Sequence, residues 1–165
     1  MEKLVKNITK SLENLLVAIF IILVIDVLWQ VITRYLGFPS SFTEELSRYL
    51  MIWLAILATA YSRSYKGQMA IDFFYEKLNL KNKFGVSLFI EICIILFAVA
   101  VMIIGGINLM YITLKLGQTS ASLHLPMGLV YSVVPISGFL ILFFSIFHIK
   151  NYIKDYQFSR TKLSN

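Results

Sequence analysis

The residues of this sequence that could do chemistry are a few polar side chains set within long apolar runs. Asp26, Gln30 and Arg34 lie at i, i+4 and i+8, which places them on one face of a helix. Ionisable side chains at membrane depth are costly and face protein or water. This face could relay protons through Asp26, or it could be a polar seam that fixes helix register. Because one carboxylate without a second acid at its depth makes a poor ion site, we favour the seam.

Further charged residues lie in the third apolar run and at the start of the second. Glu91 is interpreted in the same way as Asp26, so the predicted membrane polar seam comprises Asp26, Gln30 and Glu91. Glu44, Glu45 and Arg48 open the second run, where acidic residues suit a helix N-terminus. Glu44 and Arg48 have the i, i+4 spacing of an ion pair, with Arg34 expected nearby across a hairpin. This charged cluster could also be a docking surface outside the membrane.

The two histidines suggest a test for haem. His124 and His148 are 24 residues apart, which is about 36 Å along a helix. They cannot bind one iron from a single chain, so a haem site is not expected. The sequence also lacks a Cys/His cluster, an HExxH motif and a glycine-rich phosphate loop. We therefore expect neither an enzyme nor a bound cofactor.

Four long apolar runs must position these residues: 14–36, 42–65, 84–114 and 126–149. Each run is long enough to cross a bilayer, which takes about 20 residues of helix. The composition is 58% hydrophobic with a mean hydropathy of +0.76, which is typical of a membrane protein. We predict an all-α integral membrane fold in which residues 1–165 form a single four-helix membrane domain.

The lysines and arginines predict the orientation of the four transmembrane helices. Twelve, including Arg63 at the end of the second run, lie in or beside the N-terminal segment, the segment after the second run and the C-terminal segment, against three at the opposite ends of the helices. Basic residues accumulate on the cytoplasmic side, so both termini are predicted to be cytoplasmic. The net charge of +6 is then explained by topology, and a nucleic-acid partner is not expected.

Short amphipathic interfacial segments are predicted at residues 3–13 and 70–80. Gly37 is expected to end the first helix, and Pro135 should kink the fourth. Aromatic residues near the helix ends are expected to anchor the chain at the membrane surfaces. They are Trp29, Tyr35, Tyr49, Trp53, Tyr131 and Tyr152.

An ordered set of short motifs resembles a known family. The set comprises Trp29-Gln-Val-Ile-Thr-Arg-Tyr35, Phe42-Thr-Glu-Glu-Leu-Ser-Arg-Tyr49 with Trp53, Gly67 and Asp72, Gly117-Gln-Thr-Ser120, Leu123, Pro126-Met127, Tyr131 and Pro135. In this order it resembles the DctQ-like small membrane subunit of tripartite ATP-independent periplasmic (TRAP) transporters. The resemblance extends over nearly the whole chain.

The resemblance implies a non-catalytic scaffold subunit in the bacterial inner membrane. Its partners would be the lipid bilayer, a large multi-span elevator-type subunit that carries the sodium and substrate sites, and a periplasmic binding protein. The substrate would be an organic acid, such as a sialic acid or a C4-dicarboxylate. Small residues would allow close packing against the large subunit: Gly105, Gly106, Ala55, Ala58 and Ala60. The implied docking surface for the binding protein is Arg34, Glu44, Glu45, Arg48, Gln118, Thr119 and Ser120.

Two other classes of protein remain as alternatives. One is a small homodimeric multidrug-type exporter that uses Asp26, and the other is the membrane anchor of a redox complex. Replacing Asp26 by Asn would abolish transport by such an exporter, whereas a redox anchor would show a visible haem spectrum.

Overall fold

The structure, a computed structural model, describes residues 2–38, 40–65 and 80–163. Within these ranges the regular elements are all helices, and no strand is formed. They are α1 (Glu2–Tyr35), α2 (Ser41–Ser64), α3 (Leu80–Phe97), a π-helix (Ala98–Gly105), α4 (Gly106–Lys115), α5 (Met127–Tyr131) and α6 (Val133–Leu163). Gly67 and most of the predicted interfacial segment over 70–80 lie outside the described residues.

Among the described residues, three stretches are long and apolar enough to cross a membrane: Lys3–Tyr35, Phe84–Lys115 and Met127–Lys154. They correspond to α1, to α3 with the π-helix and α4, and to α5 with α6. Helix α2 has 24 residues, but charged residues at both of its ends lower its mean hydropathy. The part of the chain that the structure describes is therefore predominantly helical, with three candidate spans.

Helix α1 packs against α2 through one regularly spaced face. Its buried residues Leu12, Ile19, Leu23 and Asp26 recur at intervals of seven, four and three, the spacing of one helical stripe. The predicted interfacial helix over 3–13 is continuous with the first span.

Gly37 ends helix α1, as the sequence predicted. Its φ of 82° is a conformation that suits glycine, and the Phe38 N–H donates to the Thr33 carbonyl at 3.0 Å. The chain then reverses within a few residues, and α2 runs back along α1. The hairpin predicted from the sequence is confirmed.

Helix α6 lies at the centre of the bundle, in contact with α2, α3 and the π-helix. One core cluster joins α1, α2 and α6 through Leu12, Leu57 and Phe144, among others. A second cluster, formed by Ala60, Ala98 and Ile141, joins α2 and α6 to the π-helix. Helix α2 therefore contributes to both parts of the core.

Two helices cross closely where the π-helix passes into α4. A Cβ atom added at Gly106 would lie 2.9 Å from Pro135 Cδ, so the absence of a side chain at Gly106 permits the contact. The helix containing Pro135 is interrupted at Ser132, in agreement with the predicted distortion. Gly106 and the fully buried Ala60 pack within the chain, so their predicted role in packing against a partner was wrong.

Candidate functional site

The polar side chains of this protein are organised mainly by helix α2. Glu45, Tyr49, Trp53 and Arg63 each form a hydrogen bond to another part of the chain, at spacings of four, four and ten residues. These spacings place the four residues on one face of a helix. We call this face the α2 polar stripe. It lies against α5, α6 and the loop before them.

At one end of the stripe, the Glu45 carboxylate binds the loop between α4 and α5. It accepts backbone N–H groups from Ala121 at 3.1 Å, Ser122 at 2.8 Å and Leu123 at 3.1 Å. Successive N–H groups in a turn form an anion-binding concavity, and here a side chain of the same protein fills it. Hydrogen bonds to an ionised carboxylate are about twice as strong as those between neutral groups. Glu45 therefore holds the loop in one conformation against α2.

In the middle of the stripe, two aromatic side chains fasten α2 to α5. The Tyr49 hydroxyl donates to Glu45 Oε1 at 2.8 Å and lies 3.3 Å from Met127 Sδ. The Trp53 indole N–H donates to the Val130 carbonyl at 3.1 Å. Tyr49 is buried and Trp53 is half-buried. Tyr49 packs within the chain, which contradicts its predicted role as a membrane-surface anchor, whereas for Trp53 that role stays a prediction.

At the other end of the stripe lies an ion pair between α2 and α3. The Arg63 guanidinium donates to the Glu91 carboxylate, and the two side chains are only 11% and 4% exposed. Arg63 Nε also donates to Ser145 Oγ at 3.4 Å, and His148 Nε2 lies 2.9 Å from the Arg63 carbonyl oxygen. A charged side chain that is buried to this extent needs an opposite charge and hydrogen bonds to offset its loss of hydration. This cluster therefore joins α2, α3 and α6 at the end of the bundle that carries the N-terminus.

The structure divides the predicted polar seam into two separate places. Glu91 pairs with Arg63, whereas Asp26 lies on the face of α1 that packs against α2 and is 8% exposed. Gln30 is half-buried one turn further along α1. Among the side chains that the structure describes, none hydrogen-bonds Asp26 Oδ2. The three residues therefore do not form one continuous seam.

The predicted docking residues lie at the hairpin end of the bundle, and they differ in exposure. Exposed side chains are those of Arg34, Glu44, Arg48, Gln118 and Thr119. Glu44 and Arg48 approach to 4.0 Å, in agreement with the predicted pair. Ser120 is 4% exposed, and the oxygens of Glu45 already bind the loop. The docking role of the set stays a prediction, but Glu45 and Ser120 are placed to support such a surface from beneath.

From the sequence alone, Arg63 is only a charge that flanks a helix, and His148 is only a candidate haem ligand. A signal was available for Arg63, because Glu91 in an apolar run requires a cation at its own depth. Glu45, Tyr49 and Trp53 also follow one another at intervals of four, so their shared face could have been predicted. The partners of that face could not. Chemically, the stripe binds helices and a loop to one another.

The sequence matches one family model and several known proteins. The family model described as "Tripartite ATP-independent periplasmic transporters, DctQ component" matches residues 15–155. The chain is 32% identical over 143 residues to a TRAP transporter small permease protein of Haemophilus influenzae, covering 86% of each chain. It is 27% identical over 139 residues to the sialic acid TRAP transporter small permease protein SiaQ of Vibrio cholerae, covering 79% of this chain and 80% of that one.

A further relative is a much longer protein. The chain is 25% identical over 129 residues to the isethionate TRAP transporter permease protein DctMQ of Oleidesulfovibrio alaskensis. The match covers 74% of this chain and only 20% of that protein.

The family match covers most of the chain, and two of these relatives are matched over most of their own length. Proteins of this family are permease subunits and not enzymes. Together with the three apolar helices, the match assigns the chain to the bacterial inner membrane as a multi-pass protein. The chain belongs to the family of DctQ components of tripartite ATP-independent periplasmic transporters.

Proposed function

We propose that this chain is the non-catalytic scaffold subunit of a sodium-coupled, binding-protein-dependent transporter for organic acids. It would pair with a large elevator-type membrane subunit and with a periplasmic substrate-binding protein. The observation that carries this proposal is the family match over residues 15–155. The exporter and redox-anchor alternatives have no comparable support.

The distribution of apolar surface supports a membrane partner. Buried residues make up 11% of the apolar stretch of α1 and 11% of that of α3 with its continuation, against 44% for α5 with α6. Side chains such as Ile25 and Trp29 on α1 and Leu96 and Ile104 on the third helical stretch are more than half exposed. These two outer faces are available to lipid and to a large apolar partner, whereas more of α5 and α6 is covered by the chain itself.

We further propose four transmembrane helices, including α2, with both termini in the cytoplasm. Helix α2 has 24 residues, or about 36 Å of helix, and it packs along both α1 and α6. The charged residues of α2 lie at its two ends, and the α2 polar stripe faces protein. Twelve of the fifteen basic residues would then be cytoplasmic.

The end of the bundle formed by the α1–α2 hairpin and the loop before α5 would face the periplasm. The exposed side chains there, including Arg34, Glu44 and Arg48, would form the docking surface for the binding protein. Glu45 supports this role because it orders the neighbouring loop before any partner arrives, which reduces the entropy lost on binding.

The substrate class is proposed from the relatives, one of which is named for sialic acid and another for isethionate. We propose an organic acid of the sialic acid or C4-dicarboxylate type. Sodium and substrate would bind to the large subunit, and this chain would hold no cofactor. Asp26 would then act as a packing residue and would not translocate protons.

The test is to tag the chain, extract native membranes in mild detergent and identify the proteins that co-purify. We expect one large multi-span membrane protein in a fixed ratio to this chain. A chain that elutes alone, or only as a dimer of itself, would contradict the scaffold role.

The docking surface is tested by charge reversal at Arg48. We expect Arg48→Glu to reduce uptake while leaving the complex of the two membrane subunits intact, because Arg48 is exposed and bonds only weakly to Glu44. Lys115→Glu, at the same end of the bundle, is the matched control. Unchanged uptake in Arg48→Glu would remove this residue from the docking surface.

A further inference from the structure

Two adjoining cavities lie at the end of the bundle that carries the N-terminus. The larger, of about 460 Å³, lies between the first turns of α1, the end of α2 and α6. The smaller, of about 120 Å³, lies between α1 and α6. Both are lined by Val5 and Phe147, so they form neighbouring chambers of one groove.

The larger chamber has a mostly apolar surface, but its lining includes charged side chains whose net charge is positive. Lys6 and Lys10 line it one helical turn apart and are both exposed, so their ammonium groups can reach a ligand. Thr9 and Ser64 add hydroxyl groups. Glu13 also lines the chamber and contributes one negative charge, which leaves a net charge of +1. This lining suits an anion with several oxygen acceptors.

The smaller chamber is apolar apart from its rim. Leu4, Phe143 and Ile146 line it together with the two shared residues, and Lys150 completes the lining. Leu4 and Ile146 are 60% and 44% exposed, so the chamber opens to the side of the bundle, where hydrocarbon would lie. An apolar groove beside a cationic chamber matches a molecule with an anionic end and a hydrocarbon end.

We propose that this groove binds one phospholipid with a net negative headgroup. The phosphate and headgroup would lie in the chamber of Lys6 and Lys10, and an acyl chain would lie along Phe143, Ile146 and Phe147. The occupant is a lipid because the two chambers adjoin at Val5 and Phe147 and because the first turns of α1 belong to a candidate membrane span. This inference depends on the membrane location of the chain but not on its transport partner.

The test measures lipid binding to the purified full chain, together with any partner it retains, by native mass spectrometry. Phosphatidylglycerol and phosphatidylethanolamine with identical acyl chains are titrated separately. The site variant is Lys6→Gln/Lys10→Gln. The control variant is Lys3→Gln/Lys154→Gln, which removes the same charge at the same end of the bundle from residues that do not line the larger chamber.

We expect wild type to bind phosphatidylglycerol more tightly than phosphatidylethanolamine. The site variant should lose about 30-fold in affinity for phosphatidylglycerol, since each lysine near an anionic headgroup contributes about 1 kcal/mol. The control variant should stay within about two-fold of wild type, as is usual for exposed charges without a fixed partner. Lys6→Arg/Lys10→Arg should retain binding, which separates loss of charge from misfolding.

Three results would overturn the proposal. One is equal affinity of wild type for the two lipids, and another is an equal loss in the site and control variants. The third is displacement of phosphatidylglycerol by inorganic phosphate at the same concentration, which would make the groove a phosphate site without a role for the acyl chain.

Discussion

The ion pair between Arg63 and Glu91 allows the sharpest test of how this bundle is held together. In Glu91→Leu the Arg63 side chain, which is 11% exposed, loses its carboxylate partner. Its hydrogen bond to Ser145 Oγ at 3.4 Å is unaffected by the substitution. Removing one partner of a buried pair costs 3–5 kcal/mol in general. Since Arg63 lies one residue before the end of α2, it can partly reach water. We therefore expect a loss of about 3 kcal/mol in the free energy of unfolding.

The double variant Arg63→Met/Glu91→Leu distinguishes an unpaired charge from lost packing. Replacing both partners by apolar residues of similar size removes the buried charges together, and such replacements are often neutral or stabilising. We expect the double variant to lie within about 1 kcal/mol of wild type, although each single variant is clearly destabilised.

The assay is reversible unfolding of the purified chain in mixed micelles, driven by sodium dodecyl sulfate and followed by far-ultraviolet circular dichroism. Glu44→Leu is the control, since Glu44 is 64% exposed and contacts Arg48 at only 4.0 Å. It should change the unfolding free energy by less than about 0.5 kcal/mol. If the double variant loses as much stability as the two single variants combined, the pair is not coupled and the reasoning fails.

Two further predictions concern the loop before α5 and the helix crossing at Gly106. Glu45→Gln should speed amide hydrogen exchange in residues 120–125 by about ten-fold or more, because an amide replaces a carboxylate that accepts three N–H groups. Glu44→Gln is the control. Equal exchange rates in the two variants would contradict this prediction. Gly106→Ala should lower the unfolding free energy by about 1–3 kcal/mol, because the added methyl group would lie 2.9 Å from the proline ring of α6. Gly105→Ala is its control and should be neutral or stabilising, since its nearest neighbour would be a backbone oxygen at 3.7 Å; a loss of stability in both variants would show that the crossing is not the cause.

Local features of the sequence predicted the elements of this protein well. The apolar runs predicted long helices, because about 20 consecutive apolar residues have few other stable arrangements in a lipid bilayer. Gly37 predicted the end of α1, and Pro135 predicted the distortion between α5 and α6, because both act on the backbone beside them. The ordered motifs predicted the family. Each of these features depends on residues that are close together in the sequence.

The pairing of helix faces was decided only by the tertiary structure. Glu91 meets Arg63 across 28 residues, and Trp53 meets Val130 across 77. In a water-soluble protein the apolar face of a helix identifies its buried side, but in a membrane both lipid and protein interior are apolar. Hydropathy therefore placed Gly106 and Tyr49 in the membrane region without showing which neighbours they contact. Those contacts follow from the packing of α2 and α4 around α5 and α6, which brings together residues that no local pattern connects.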